Sequence, residues 1–420
     1  MTRHRILLIS LLACFALSTA EAGGPVYSRF GIGDLYYFAG SRSYGMGGAG
    51  VGLFGDGFIN RINPAGLAAI SRTRFSGTFE YSNYRSTDPK GTAPYARGDF
   101  GGLAVAIPVA RDYGVVIVGE LTPYSMVNYA MQRDDKQFGI ASYQEYYGSG
   151  GISRFDFGSS VSLSNHLHFG IKLDYLAGTV TQTTKITFTD NSYSNNELTY
   201  SDYYSGAMFT IGATWTGVGD ILNSSALSPL SLGFVIETPT SLDLRREHLT
   251  TTAKVVDTTL TEYGTADVPL FIAAGASYRV SERVLFAADA AVQSWSSAKI
   301  LGSHPPELRN SARISAGVEI QPSKDASTYL QHMVYRAGFY YNSSYIQATT
   351  DPATSPYQAI NGTFLTLGLG LPIGPDAHLN LGFQYGTNGT TQNALQKDTI
   401  FRLTASISGS ELWFFRPQED

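Results

Sequence analysis

Leu167-His168-Phe169-Gly170-Ile171-Lys172-Leu173-Asp174-Tyr175-Leu176-Ala177-Gly178-Thr179 is the stretch that decides the fold. Leu167, Phe169, Ile171, Leu173, Tyr175 and Ala177 point one way, and His168, Gly170, Lys172, Asp174 and Gly178 point the other. A period of two is that of a strand with unlike faces. The pattern returns at 311–320, where Ile314, Ala316, Val318 and Ile320 alternate with Arg313, Ser315, Gly317 and Glu319. It returns again at 378–386, with Leu379, Leu381, Phe383 and Tyr385 against Asn380, Gly382, Gln384 and Gly386. Phe401, Leu403, Ala405 and Ile407 repeat it near the end.

Alternation alone also fits a soluble sandwich with one wet face. Connection lengths separate the two. Strands are expected at 75–83, 101–109, 113–121, 151–163, 167–179, 204–215, 231–240, 268–280, 284–296, 311–320, 333–345, 363–372, 378–386 and 399–408. Tight turns such as Ala110–Asp112, Ser164–His166 and Ser281–Arg283 alternate with longer excursions at 122–150, 180–203, 241–267 and 346–362. Fourteen strands with short turns at one end and long loops at the other is the layout of an all-β transmembrane antiparallel barrel. No mature segment reaches the ~18 consecutive apolar residues of a membrane helix.

Composition agrees. Of 420 residues only 15% are charged, while 45 are Gly, 27 Tyr and 23 Phe, and the net charge of −5 offers nothing to nucleic acid. A wall facing lipid needs few charges, and aromatic girdles account for Tyr and Phe. Lys172, Asp174, Glu237, Asp289, Arg313, Glu319, Arg336 and Arg402 fall on the opposite face and must point into the lumen. There they form a solvated or ion-paired filling, or, at Arg313 or Arg336, a site for a ligand carboxylate.

Residues 1–22 read as a signal peptide: Arg3 and Arg5, the apolar run Ile6 to Leu17, and Ala20-Glu21-Ala22 before the cut. A lipobox ending at Cys14 competes less well, because Cys14 lies inside the apolar run. Cleavage after Ala22 removes the one cysteine and leaves neither disulfide nor thiol chemistry. Residues 23–72 form an N-terminal hatch or plug, 73–410 the barrel, and 411–420 a periplasmic tail. Gly45-Met46-Gly47-Gly48-Ala49-Gly50 matches G-x-G-x-x-G, but no strand–helix unit surrounds it, so it reads as close packing rather than dinucleotide binding.

Gly47-Gly48-Ala49-Gly50-Val51 and Asn63-Pro64-Ala65-Gly66-Leu67 resemble the N-terminal signature of the FadL-type (OMPP1/FadL/TodX) outer-membrane transport family. Pro25-Val26-Tyr27-Ser28-Arg29-Phe30-Gly31-Ile32-Gly33, Leu121-Thr122-Pro123-Tyr124-Ser125, Tyr335-Arg336-Ala337-Gly338 and Leu412-Trp413-Phe414-Phe415 resemble its Bacteroidetes/Chlorobi-like branch. The resemblance implies a fourteen-stranded barrel with an N-terminal hatch and uptake of hydrophobic small molecules, long-chain fatty acids among them. Residue by residue it carries over only Asn63, Pro64 and Ala65 as hatch elements, with a turn that anchors the segment without touching ligand as the alternative; Gly47, Gly48 and Gly50 join the same hatch as its closely packed small residues. Tyr124, Met126, Val127 and Tyr129 are candidate ligand-pocket residues, or ordinary extracellular loop packing. Expected partners are outer-membrane lipids, a hydrophobic ligand and the outer-membrane assembly machinery, around a monomer. Related barrels that shuttle or scaffold secreted proteins supply the competing function, and an unspecific porin the next.

No G-x-S-x-G, H-E-x-x-H or mature cysteine supports an enzyme, and no metal or cofactor is expected. The tail departs from barrels that end on a last-strand aromatic, since Arg416-Pro417-Gln418-Glu419-Asp420 follow Phe415.

Overall fold

A computed structural model describes residues 24–411 apart from 38–39, 138–139, 191, 253–254, 324 and 375. Fourteen wall strands follow in chain order. They are β1 (Thr73–Asp88), β2 (Gly91–Ala110), β3 (Val115–Gln137), β4 (Ile140–Ser162), β5 (Leu167–Phe188) and β6 (Asn196–Trp215). Then come β7 (Leu230–Glu237 and Thr240–Thr252) and β8 (Val255–Val268 and Phe271–Arg279). The remainder are β9 (Val284–Gln293), β10 (Ser311–Ile320), β11 (Val334–Ala348), β12 (Gln358–Pro372), β13 (Ala377–Gly389) and β14 (Lys397–Glu411). Each is antiparallel to its neighbour, and β14 pairs with β1 from Glu411–Thr73 to Lys397–Thr87, which closes the barrel. β7 and β8 are each interrupted at a proline, Pro239 and Pro269, which have no N–H for the ladder. Thr238 bridges the first break: its N–H donates to the Phe209 carbonyl at 2.8 Å and its hydroxyl accepts from the Phe209 N–H at 2.9 Å.

All fourteen expected strands are present. Several expected excursions are not loops, however. Most of 122–150 and 241–267 continues the strands, and only 349–357 is left of 346–362. β3 has 23 residues, roughly 75 Å at the usual strand rise, against an apolar band of about 25 Å. Above the band both faces meet polar surroundings, so Thr240–Thr252 has no lipid face to impose alternation. The outward faces below it are apolar: Phe157 and Leu365 are each 65% exposed, and Phe75, Ile171, Phe209, Phe286, Ile314 and Phe401 stand out beside them.

The inward face carries a belt of glycines that pair in register across the wall. Gly170 faces Gly212 (β5/β6), Gly233 faces Gly275 (β7/β8), Gly317 faces Gly338 (β10/β11) and Gly368 faces Gly382 (β12/β13). Residues 44–64 run along this belt. A Cβ on Gly382 would lie 3.0 Å from Tyr44 Cβ, on Gly317 2.5 Å from the Met46 carbonyl oxygen, and on Gly338 2.3 Å from Gly47 N. On Gly233 it would lie 2.0 Å from the Val51 oxygen, on Gly212 2.1 Å from Asn63 Oδ1, and on Gly170 2.3 Å from the Pro64 carbonyl carbon. Contacts under 3.0 Å essentially never occur and one of 3.0 Å is rare, so the missing side chains are what let the N-terminal segment lie flush against the wall.

Candidate functional site

The wall is not uniformly laced. β2 and β3 pair only from Leu103–Leu121 down to Ala110–Val115. Above that height β2 stays on β1 as far as Gly91–Asp88, and β3 stays on β4 as far as Gln137–Ile140. Both edges diverge where their sequences break the ladder. Gly102 has φ +120° beside a register shift at Thr78/Phe79, and Pro123 sits in a shift between Pro123 and Ser125. Phe100 and Leu103 still face outward here, so the seam opens within the apolar band.

A strap from the N-terminal segment lies behind the seam. Asp34 and Leu35 pair antiparallel with Met126 and Ser125 of β3, and the Tyr36 N–H donates to the Tyr124 carbonyl at 2.9 Å. Gly31 and Gly33, at φ +60° and +97°, make the turn into it. The Tyr36 hydroxyl donates to Glu80 Oε1 at 2.9 Å, and Arg402 Nε lies 2.9 Å from the same oxygen. Leu35, Tyr36 and Tyr37 therefore partition two small cavities. One of about 110 Å³ is faced by Tyr44, Tyr84, Tyr340 and Phe364, with Arg97, Arg313 and Arg402 at its polar corners. The other, about 60 Å³, is faced by Pro123, Tyr124, Arg154 and Glu237.

Buried ion pairs anchor the segment around them. Arg42 reaches Glu319 through both Nε (2.8 Å) and Nη2 (2.7 Å), and Arg336 Nε donates to Glu319 Oε2 at 2.7 Å. Lys172 Nζ donates to the Arg61 carbonyl at 3.0 Å and lies 3.3 Å from Asp156 and 3.5 Å from Glu120. Arg154 lies between Asp156 (3.3 Å) and Glu237 (2.9 Å). Charges removed from water persist only when paired in this way.

A family model described as BamG matches residues 1–419. The chain belongs to the BamG family. No curated protein matches it in sequence. Solved structures share the fold at low identity. A Pseudomonas aeruginosa FadL homologue is 13% identical with TM-score 0.60, covering 90% of this chain and 99% of its own. The Pseudomonas putida toluene transporter TodX is 15% identical with TM-score 0.56, at 90% and 100% coverage. The Ralstonia pickettii toluene transporter TbuX is 13% identical with TM-score 0.56, at 89% and 98% coverage. The architecture is thus that of a FadL-type barrel.

In this BamG-family barrel the residues singled out from sequence divide among several places. Gly47 donates its N–H to Thr366 Oγ1 at 2.9 Å, and Gly50 N–H donates to Asp289 Oδ2 at 2.6 Å. Gly48 has φ +87° in the turn between them, which only glycine adopts freely. Asn63, Pro64 and Ala65 are buried against β5 and β6. Tyr124 faces the smaller cavity, from a strand rather than a loop, while Val127 and Tyr129 join the buried cluster with Tyr27 and Ile32. Met126 is half-buried and meets the strap through its backbone. Arg313 lies at the larger cavity, its guanidinium 3.9 Å from the Tyr340 ring centre, and donates to the Gly47 carbonyl at 3.2 Å. Arg336 is held elsewhere by Glu319 and by Asn380 Oδ1 at 3.1 Å. The strap Asp34–Tyr37 was missed from sequence; the Gly31-Ile32-Gly33 turn followed by paired tyrosines was its local signal.

Proposed function

We propose that the barrel lies in the outer membrane and admits hydrophobic small molecules through the β2–β3 seam. The observation that carries this reading is an unlaced wall at lipid height, backed by a short strap and a tyrosine-walled cavity. An apolar molecule entering sideways stays out of bulk water, where its exposed surface costs about 25 cal/mol per Å². The strap must leave Ser125 and Met126 for the molecule to pass. Residues 44–64 would then act as the hatch, shifting off the glycine belt to open the lumen. Long-chain fatty acids and small aromatics are the ligand classes proposed, in keeping with the transporter names borne by the barrels of like fold. Removal of a leader after Ala22, periplasmic short turns, a monomeric state, delivery by the assembly machinery and a Bacteroidetes/Chlorobi-like origin belong to the same proposal.

A second reading is a scaffold or shuttle for exported proteins. It is favoured by the tall one-sided wall, where β3 to β8 rise well above the apolar band and offer a broad extracellular sheet. Proteoliposomes separate the two. Transport predicts influx of a fluorescent fatty acid or of toluene above protein-free vesicles, without swelling in small sugars. Sugar swelling would point to an open porin. No influx, together with co-purification of a secreted protein, would sink the transport reading.

A further inference from the structure

Of the two ends of the lumen, the short-turn mouth adjoins the tail expected at 412–420, which lies outside the described residues. The larger cavity behind the strap is lined by described ones. An inward row crosses six strands in register there: Tyr340 (β11), Phe364 (β12), Gly386 (β13), Ile400 (β14), Tyr84 (β1) and Tyr95 (β2). The outer pairs stack. Tyr84 lies on Tyr95 with ring centres 4.6 Å apart and planes at 14°, and Tyr340 on Phe364 at 4.7 Å and 13°. Gly386 leaves room beside them, since an added Cβ would lie 2.5 Å from Phe364 Cδ1. The row is an arc of aromatic faces on which one further ring can stack. The cavity, about 110 Å³, approaches the roughly 150 Å³ that holds one benzene ring in an engineered apolar cavity. A long alkyl chain does not fit it.

One corner of the cavity is polar and incompletely bonded. Arg97 is 7% exposed and donates from Nε to Asp99 Oδ2 at 2.5 Å, yet its buried Nη1 has no hydrogen-bond partner among the described residues. A buried donor left this way is unfavourable until an oxygen meets it. Charge decides which oxygen. Arg97, Arg313 and Arg402 line the cavity, and three carboxylates answer them: Asp99 on Arg97, Glu80 at 2.9 Å from Arg402 Nε, and Asp34 of the strap in the lining itself. A ligand carboxylate would add a fourth buried anion to three cations, an unfavourable transfer from water. A neutral hydroxyl can accept from Arg97 Nη1 and donate to the Asp34 carboxylate. We propose that the cavity binds a single-ring phenol, its ring on the aromatic arc and its hydroxyl on Arg97. The proposal rests on the reading that the cavity behind the strap takes ligands, and it narrows that ligand to a hydroxylated aromatic.

Fluorine NMR of the detergent-solubilised barrel, titrated with para-fluorophenol, fluorobenzene or para-fluorobenzoate, tests this by binding alone. Para-fluorophenol should bind saturably, be displaced by phenol, and bind about tenfold or more tightly than either of the others, because a site with an unmet buried donor rejects the ligand lacking a hydroxyl. Arg97→Gln should weaken para-fluorophenol about tenfold and leave fluorobenzene within about twofold. If that variant does not fold, the order of the three ligands on the unsubstituted barrel still decides. Fluorobenzene or para-fluorobenzoate binding as tightly as para-fluorophenol, a folded Arg97→Gln barrel with unchanged affinity, or no saturable binding, the cavity then holding water only, would each overturn the proposal. A barrel that binds para-fluorophenol but passes no fatty acid would refute the transport reading and leave this one standing. The reverse result would refute this one alone.

Discussion

Replacing Asn63 should loosen the N-terminal segment without disturbing the wall. Asn63 is fully buried. Its Nδ2 donates to the Val51 carbonyl at 2.8 Å, the Ala213 carbonyl at 3.0 Å and Thr214 Oγ1 at 3.2 Å, while its Oδ1 accepts from the Ala65 N–H at 3.0 Å. One side chain thus ties two parts of the segment to each other and to β6. Asn63→Ala removes its bonds to two carbonyls and one N–H. At about 1 kcal/mol net for each, the loss is about 3 kcal/mol. Asn63→Asp has nearly the same shape but turns a donor into an acceptor facing two carbonyls, so it should cost more. At about 1.4 kcal/mol per factor of ten, the alanine variant should open its segment roughly 150-fold more often. Hydrogen exchange at residues 50–67 reads this directly, with β12 and β13 amides as the internal reference. Exchange within threefold of the unsubstituted protein in both variants would refute the reasoning.

Three further outcomes follow from the same geometry. Glu319→Gln strands Arg42 and Arg336 without their shared carboxylate, and thermal unfolding should show a loss of about 3–5 kcal/mol. Gly338→Val drives a side chain into Met46 and Gly47 and should cost about 1–3 kcal/mol or displace the segment, whereas Gly119→Ala, with open space around it, should be neutral by the same denaturation assay. Leu367→Arg places a cation on the outward face of β12 and should lower folding stability in bilayers by about 2–4 kcal/mol; Ala353→Arg, in the exposed 349–357 loop, should not.

The wall was legible because lipid on one side and lumen on the other impose alternation, as at 167–179 and 311–320. Where that contrast ends, so did the legibility. Tyr124 to Tyr129 was expected in a loop because no lipid face marks the upper β3. Inward Gly170, Gly317 and Gly382 could be placed on the lumen face by parity alone. Their partners could not, because Gly47 and Thr366 or Asn63 and Ala213 are joined only by the closed barrel. The charged lumen residues were similarly recognisable as inward, but not that Glu319 would take Arg42 as well as Arg336. The seam is hardest of all to read. It is a missing pairing between chain neighbours, and its only local marks are Gly101-Gly102 and Pro123.

The central claim is that hydrophobic molecules pass the β2–β3 seam when the strap lets go. Leu35 and Ser125 sit opposite each other, close enough at the usual cross-strand spacing of about 4.5–5.5 Å for a disulfide. Influx of a fluorescent fatty acid into proteoliposomes holding the Leu35→Cys/Ser125→Cys barrel should be measured oxidised and then reduced. Influx should fall to the protein-free level in the oxidised barrel and return to that of the unsubstituted barrel on reduction. Equal influx in the two states would contradict the account.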